Sequence, residues 1–267
     1  MNGVLEAEKL NTICVSGKCP NRGECFSRGS LAFMILGDLC TRHCGFCAVK
    51  AGDPGGIVDW EEPGRLARAV AELKLRHAVI TAVARDDLKD GGASVFADCI
   101  RQVRALSPTT IIEVLTPDFL ADKQALDTVL DAGPDIFNHN IETVERLTPR
   151  VRSKATYRRT LEVLRYAKEK STAWKTKSGL MLGLGETKEE ILQTLKDLRS
   201  IGCDYLTIGQ YLQPSARHLT IQSFVPVDDF RHWEREAFRL GFERVASGPL
   251  VRSSYFADQL HSPEHPG

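Results

Sequence analysis

From residue 31 onward the chain alternates short apolar runs with longer stretches in which apolar residues recur every three or four positions. LAFMILGD (31–38), HAVITAVA (77–84), TIIEVLT (110–116), DIFNHN (135–140), TKSGLML (176–182) and DYLTIGQY (204–211) read as strands. Leu66, Ala69, Val70 and Leu73, at i, i+3, i+4 and i+7, predict a helix near 61–75. Phe96, Cys99, Ile100 and Val103 predict another over 93–106. Thr187 and Glu190 form a capping box ahead of Ile191, Leu192, Leu195 and Leu198, which predicts a helix over 188–200. Six βα repeats are too few for a closed eight-stranded barrel. The expected fold is therefore α/β, a partial (βα)6 barrel of TIM type with its chemistry at the C-terminal ends of the strands. Residues 1–30 form an extension before the barrel (31–247), and residues 248–267 a C-terminal segment ending in HSPEHPG, which reads as a solvated tail.

Composition narrows the setting. Hydrophobic residues make up 42% and charged residues 26% of 267, enough for a sizeable core. Thirty-five lysines and arginines balance 35 aspartates and glutamates, which gives no footprint of a nucleic-acid or membrane-surface binder. The start, MNGVLEAEKL, has neither the apolar run of a signal peptide nor the arginines of a transit peptide, so the expected location is the cytoplasm, with no membrane or nucleic-acid partner.

Cysteine changes the picture most. Six of the eight cysteines fall within the first 47 residues. In a reducing compartment such a cluster reads as metal ligands or catalytic groups, not as disulfides. CTRHCGFC places Cys40, Cys44 and Cys47 in the spacing CxxxCxxC, just after the first strand. Three thiolates suit one face of a four-iron cluster and leave one iron open to a small molecule carrying an amine and a carboxylate. A closed zinc site takes four ligands, so a structural metal knuckle fits less well.

That motif, with the aromatic Phe46 before its last cysteine, on the first loop of a βα barrel, resembles the radical S-adenosylmethionine (SAM) superfamily. The resemblance implies that SAM takes the open iron and is cleaved to a 5'-deoxyadenosyl radical. An earlier triad, Cys14, Cys19 and Cys25 in the spacing CxxxxCxxxxxC, stands upstream. With CPNRGEC, RDDLKDGG, FNHNIETV, KSGLMLGLGE, TIGQYLQP and GPLVRSSY, it makes nearly the whole chain similar to the lipoyl synthases. The resemblance implies a sulfurtransferase that inserts two sulfurs, at carbons 6 and 8, into a protein-bound octanoyl-lysine. It implies two 4Fe-4S clusters, SAM, and an auxiliary cluster held by Cys14, Cys19, Cys25 and Ser254 that is consumed as the sulfur source. Implied partners are the glycine-cleavage H protein, the lipoyl domains of 2-oxoacid dehydrogenases and an electron donor of ferredoxin or flavodoxin type. A monomer is expected. A biotin-synthase-type enzyme and a non-catalytic iron-sulfur carrier are the alternatives.

By the same resemblance GLMLGLGE, with Met181 at its aliphatic position, places Gly179, Gly183 and Glu186 beside the adenine. Glu186 facing the next helix N-terminus is an equal reading. Asn140 and Glu142 at the end of the fourth strand suit ribose or methionine contacts, whereas His139 reads as a satisfied structural histidine. Thr81, Arg85 and Asp86 are candidates for the methionine amine, although a salt-bridged loop explains the charges equally well. Cys99 and Cys203 read as core thiols. The sequence departs from the family's usual pattern at Phe256, where histidine commonly follows the tyrosine, and in CVSGKC.

Overall fold

The computed structural model describes residues 1–27, 30–171 and 173–254. Tyr255 and the HSPEHPG tail lie outside the described residues. Two compact units divide the chain, one formed by residues 1–42 and 49–137, the other by residues 43–48 and those from 138 onward.

In the first unit β1 (Ala32–Ile35), β2 (His77–Ala82) and β3 (Ile111–Leu115) are parallel neighbours, with Ala32 opposite Val79 and His77 opposite Ile111. A two-residue strand, Asn11–Thr12, runs antiparallel against β1. The strand interiors are almost wholly apolar and buried, as strands covered on both faces require. Helices α1 (Glu62–Glu72) and α2 (Ala93–Leu106) bury Leu66, Val70, Phe96, Ile100 and Val103, and pack on each other. Each such side chain contributes about 1.5–3 kcal/mol on leaving water. Cys99 is among them, its thiol pushed well up by burial. Helix α3 (Lys123–Leu130) begins at Asp122, whose carboxylate accepts from the Gln124 and Ala125 N–H groups. Strand β4 (Ile136–Asn138) follows it.

In the second unit β5 (Lys175–Leu182), β6 (Tyr205–Gln210) and β7 (Arg244–Gly248) are parallel neighbours, with Lys177 opposite Tyr205 and Tyr205 opposite Arg244. Helix α4 (Tyr157–Lys170) precedes β5, α5 (Lys188–Ser200) joins β5 to β6, and α6 (Val227–Leu240) joins β6 to β7. The Thr187/Glu190 capping box starts α5 as expected. Cys203 is buried at the entry to β6, where desolvation pushes its thiol up to about 12. The expected α/β partial barrel is the fold observed. Strand β7 is an addition to the six expected strands, because in RVASG only Val245 is both apolar and buried. Among the described residues no helix is long and apolar enough to cross a membrane.

One buried carboxylate ties a helix to the sheet. Glu62, in the first turn of α1, accepts the Leu36 N–H at 2.7 Å. Desolvation raises its pKa; the Leu36 bond opposes the rise. The native state thus binds this proton more tightly than the unfolded chain. Its contribution to stability falls as pH rises from the ordinary carboxylate range through the raised native value. Glu62→Gln keeps an acceptor for Leu36 and is expected to raise the thermal midpoint at pH 7 by about 1–3 °C. The gain should vanish near pH 4. Unfolding curves at the two pH values check this, and an equal gain at both contradicts it.

Candidate active site

The upstream triad is shaped by very local bonding. Thr12 donates its hydroxyl to Ala32 O (2.7 Å) and accepts the Cys14 N–H (3.2 Å), which fixes Cys14 beside β1. The Cys19 N–H donates to Cys14 O (3.1 Å) and the Cys25 N–H to Asn21 O (2.9 Å). Cys14 and Cys25 are buried and Cys19 is half-buried. Three soft thiols within twelve residues, rigidly tied and mostly shielded from water, suit a thiophilic cluster.

The loop of residues 40–47 follows β1 and holds Cys40, Cys44 and Cys47, all half-buried. In the first unit the Ala84 N–H donates to Cys40 Sγ at 3.3 Å, while the Thr41 N–H donates to Ala84 O and the Gly52 N–H to Cys40 O. In the second unit the Ser153 N–H donates to Cys44 Sγ at 3.4 Å, and the Gly45 N–H donates to Val151 O. His218 Nε2 donates to Cys47 O at 3.0 Å, and Leu219 N–H donates to Gly45 O. N–H groups aimed at a cluster's sulfur ligands tune its potential. Phe46 is half-buried in the same loop. Among the described residues no three Cys, His, Asp or Glu side chains converge as a single ion requires. A four-iron cube offers each thiolate its own corner iron and needs no such convergence.

Arg42, inside this loop, is buried between two aspartates. Its Nη2 reaches Asp86 Oδ1 and Asp118 Oδ1, both at 2.7 Å, and Asp118 is fully buried. Burial works against the Arg42 charge, yet the hydrogen bonds to Asp86 and Asp118 outweigh it and raise its pKa. Asp86 also accepts from the Thr41 hydroxyl (3.1 Å). Arg85 pairs with Asp87 at 2.8 Å, and this hydrogen bond is the main reason the Asp87 carboxyl lies below the usual range. Thr81 donates its hydroxyl to Leu115 O at 2.9 Å, bridging β2 and β3.

A second constellation lies on β5, β6 and the segment after β4. Backbone bonds carry that segment along β5, with the Glu142 N–H donating to Gly179 O and the Met181 N–H to Glu142 O. Glu142 takes a left-handed φ of 67° there. Desolvation raises its pKa, opposed by the Arg152 charge and the Asn140 hydrogen bond. Asn140 is 7% exposed; its Nδ2 donates to Glu142 Oε1 (3.1 Å) and to Ser253 Oγ (2.6 Å). Its Oδ1 has no hydrogen-bond partner among the described residues. A Cβ at Gly179 would stand 2.7 Å from that oxygen, 2.9 Å from Thr207 Oγ1 and 3.0 Å from Ser253 Oγ. Only glycine leaves this space clear. An orphaned acceptor beside a bare backbone is the setting a polar ligand completes. His139, also buried, faces Thr160 Oγ1 through Nε2 at 3.2 Å.

Glu186 folds back on the end of β5 and accepts the Gly183 and Leu184 N–H groups, so its partners are this turn and not the N-terminus of α5. Gly183 has the left-handed φ of 99° that the turn needs. Ser253 and Ser254 are half-buried. Sequence reasoning missed Arg42 with Asp118, and His218. An arginine inside a cysteine loop, with acidic residues ending two neighbouring strands, was the available signal for the first. For His218 only the polar run after β6 hinted at a role.

Three comparisons bear on this arrangement. A sequence profile of the radical SAM superfamily matches residues 34–198. A lipoyl synthase of Flavobacterium johnsoniae is 51% identical over 259 residues, covering 97% of this chain and 89% of that protein. One from Thermus thermophilus is 53% identical (97% and 81% covered), and a mitochondrial one from Nematostella vectensis 49% identical (97% and 88%). Among solved structures, methylornithine synthase superposes with a TM-score of 0.58 at 14% identity, covering 80% of this chain and 63% of that one. Streptococcus suis SuiB bound to S-adenosylmethionine gives 0.60 at 12% identity, covering 82% and 50%. At these identities the structural likeness speaks for the fold alone.

Proposed function

The chain belongs to the lipoyl synthases of the radical SAM superfamily, and from that premise we propose how its residues divide the work. The family's enzymes are sulfurtransferases that use two 4Fe-4S clusters and SAM, and their substrates are lipoyl domains. When bound, these groups supply a hydrogen-abstracting radical and sulfide for carbons 6 and 8 of the octanoyl chain.

In this reading Cys40, Cys44 and Cys47 hold the cluster that faces SAM, and the Ala84 and Ser153 N–H groups stabilise two of those thiolates. Arg42, locked between Asp86 and Asp118, fixes the loop backbone on which the triad is carried. Asn140 and Glu142 meet the polar part of SAM, with Asn140 Oδ1 ready to accept a hydroxyl or ammonium proton. Gly179 and Gly183 admit it closely, Glu186 shapes the turn beside it, and Thr81 and Phe46 are further residues proposed to bind SAM. Cys14, Cys19 and Cys25, from the extension before the barrel, and Ser254, from the C-terminal segment, hold the sulfur source. A serine oxygen is a harder and more easily released ligand than a thiolate, which suits a cluster that must open.

The observation that supports this reading above others is the pair of cysteine triads, each one ligand short. Octanoylated H protein and 2-oxoacid dehydrogenase lipoyl domains are the finer substrates proposed, with a ferredoxin or flavodoxin as donor. The enzyme works in the cytoplasm as a monomer. Ser254→Ala tests the division of labour. SAM cleavage to 5'-deoxyadenosine should persist within about twofold, while lipoyl product on an octanoyl-lysyl peptide falls at least about tenfold, the size of effect expected when one ligand to a working centre is lost. Equal loss of both products counts against it.

A further inference from the structure

Two glycines on neighbouring strands make a seat for the chain that follows β7. Met181 pairs with Gly209 and Gly179 with Thr207, so both glycines lie on adjacent strands near the same end. A Cβ at Gly209 would stand 2.1 Å from Val251 O and 3.0 Å from Val251 C, so residue 251 can lie there only over a bare α-carbon. Two residues on, Ser253 Oγ occupies the space a Cβ at Gly179 would crowd. The seat is closed by the 2.6 Å hydrogen bond from Asn140 Nδ2 to Ser253 Oγ. The Gln210 N–H to Pro249 O bond (3.4 Å) and the Val251 N–H to Gly248 O bond (3.1 Å) hold the preceding turn.

We propose that Asn140 is a positioning residue for the C-terminal segment: by holding Ser253 it fixes where the adjacent Ser254 is presented. The two serines therefore divide, Ser253 to the seat and Ser254 to the metal. This rests on the reading of Ser254 as a cluster ligand. It adds that one side chain, Asn140, is shared between the polar site beside Gly179 and the segment carrying that ligand. Its amide hydrogens serve the segment and Glu142, while its oxygen remains for a ligand of that site.

Ser253→Ala removes the acceptor and leaves Asn140 in place. In anaerobically reconstituted protein, amide hydrogen exchange in the peptide spanning 245–254 should become about 3- to 10-fold faster, the loss of one hydrogen bond. The ratio of 5'-deoxyadenosine to lipoyl product should rise several-fold, with the rate of deoxyadenosine formation held within about twofold because no group that meets SAM is altered. Gly209→Ala, which displaces the Val251 carbonyl by a different route, should accelerate the same exchange. A thermal midpoint within a few degrees of wild type shows that both variants fold. Unchanged exchange in both variants, or an unchanged product ratio in Ser253→Ala, overturns the proposal. The cluster reading fails separately: Ser254→Ala then keeps the wild-type product ratio while Ser253→Ala still speeds exchange.

Discussion

Arg42→Met should lower the stability of the fold by about 3–5 kcal/mol, the typical penalty when one partner of a buried charge cluster is removed and the others stay charged. Arg42 satisfies two carboxylates at once: Asp118, which is fully buried and also caps a tight turn through the Leu120 N–H, and Asp86, which is half-buried. Methionine fills much of the volume, so lost packing is a minor part of the effect. The loss comes from two carboxylates left without their common cation, and it should shrink below about pH 4, where aspartates take up protons. Arg42→Lys should recover only part of it, because an ammonium cannot span two carboxylates as a planar guanidinium does. Urea unfolding at pH 7 and pH 4 measures the whole series. A destabilisation under about 1 kcal/mol at pH 7, the value for an exposed pair, would show that this trio is solvated and does not hold the loop.

Cys40→Ala is expected to abolish 5'-deoxyadenosine formation, a fall of at least about 10³-fold of the kind seen when one member of an interdependent catalytic set is removed. Anaerobic iron content should fall from about eight to about four per chain, the difference of one four-iron cluster. The position is informative because alanine removes only one of the ties on the loop, the Ala84 N–H to Cys40 Sγ bond. The Thr41 N–H to Ala84 O and Gly52 N–H to Cys40 O bonds use backbone atoms that alanine keeps. A folded variant without radical formation then reports on ligation. Retained deoxyadenosine production, or wild-type iron content, would remove the assignment of this triad.

The parts of the fold that could be read from the sequence were those in which one physical cause dominates. Apolar runs such as HAVITAVA can be satisfied only inside a covered sheet, and a Thr187/Glu190 pair three residues apart has one good use. Strand β7 escaped notice because its stability comes from pairing with β6 along its length, a tertiary cause invisible in RVASG. In the site, cysteine spacing carried the chemistry because thiols crowd together for few reasons. Charged and polar positions were less legible, since an arginine or asparagine is defined by what it meets. Arg85 meets Asp87 two residues away, the salt-bridged loop weighed from the sequence, whereas Arg42 meets Asp118 from 76 residues away. Asn140 was read as a cosubstrate contact, but its partner Ser253 lies 113 residues on, and no periodicity or local motif could connect them.

The bare strands under Val251 have an energetic side. Where Val251 O lies over Gly209 no side chain of the strand packs against it, and a carbonyl that leaves this place can turn to water. Amide exchange faster in this strip than in the strands beneath it is the expected signature.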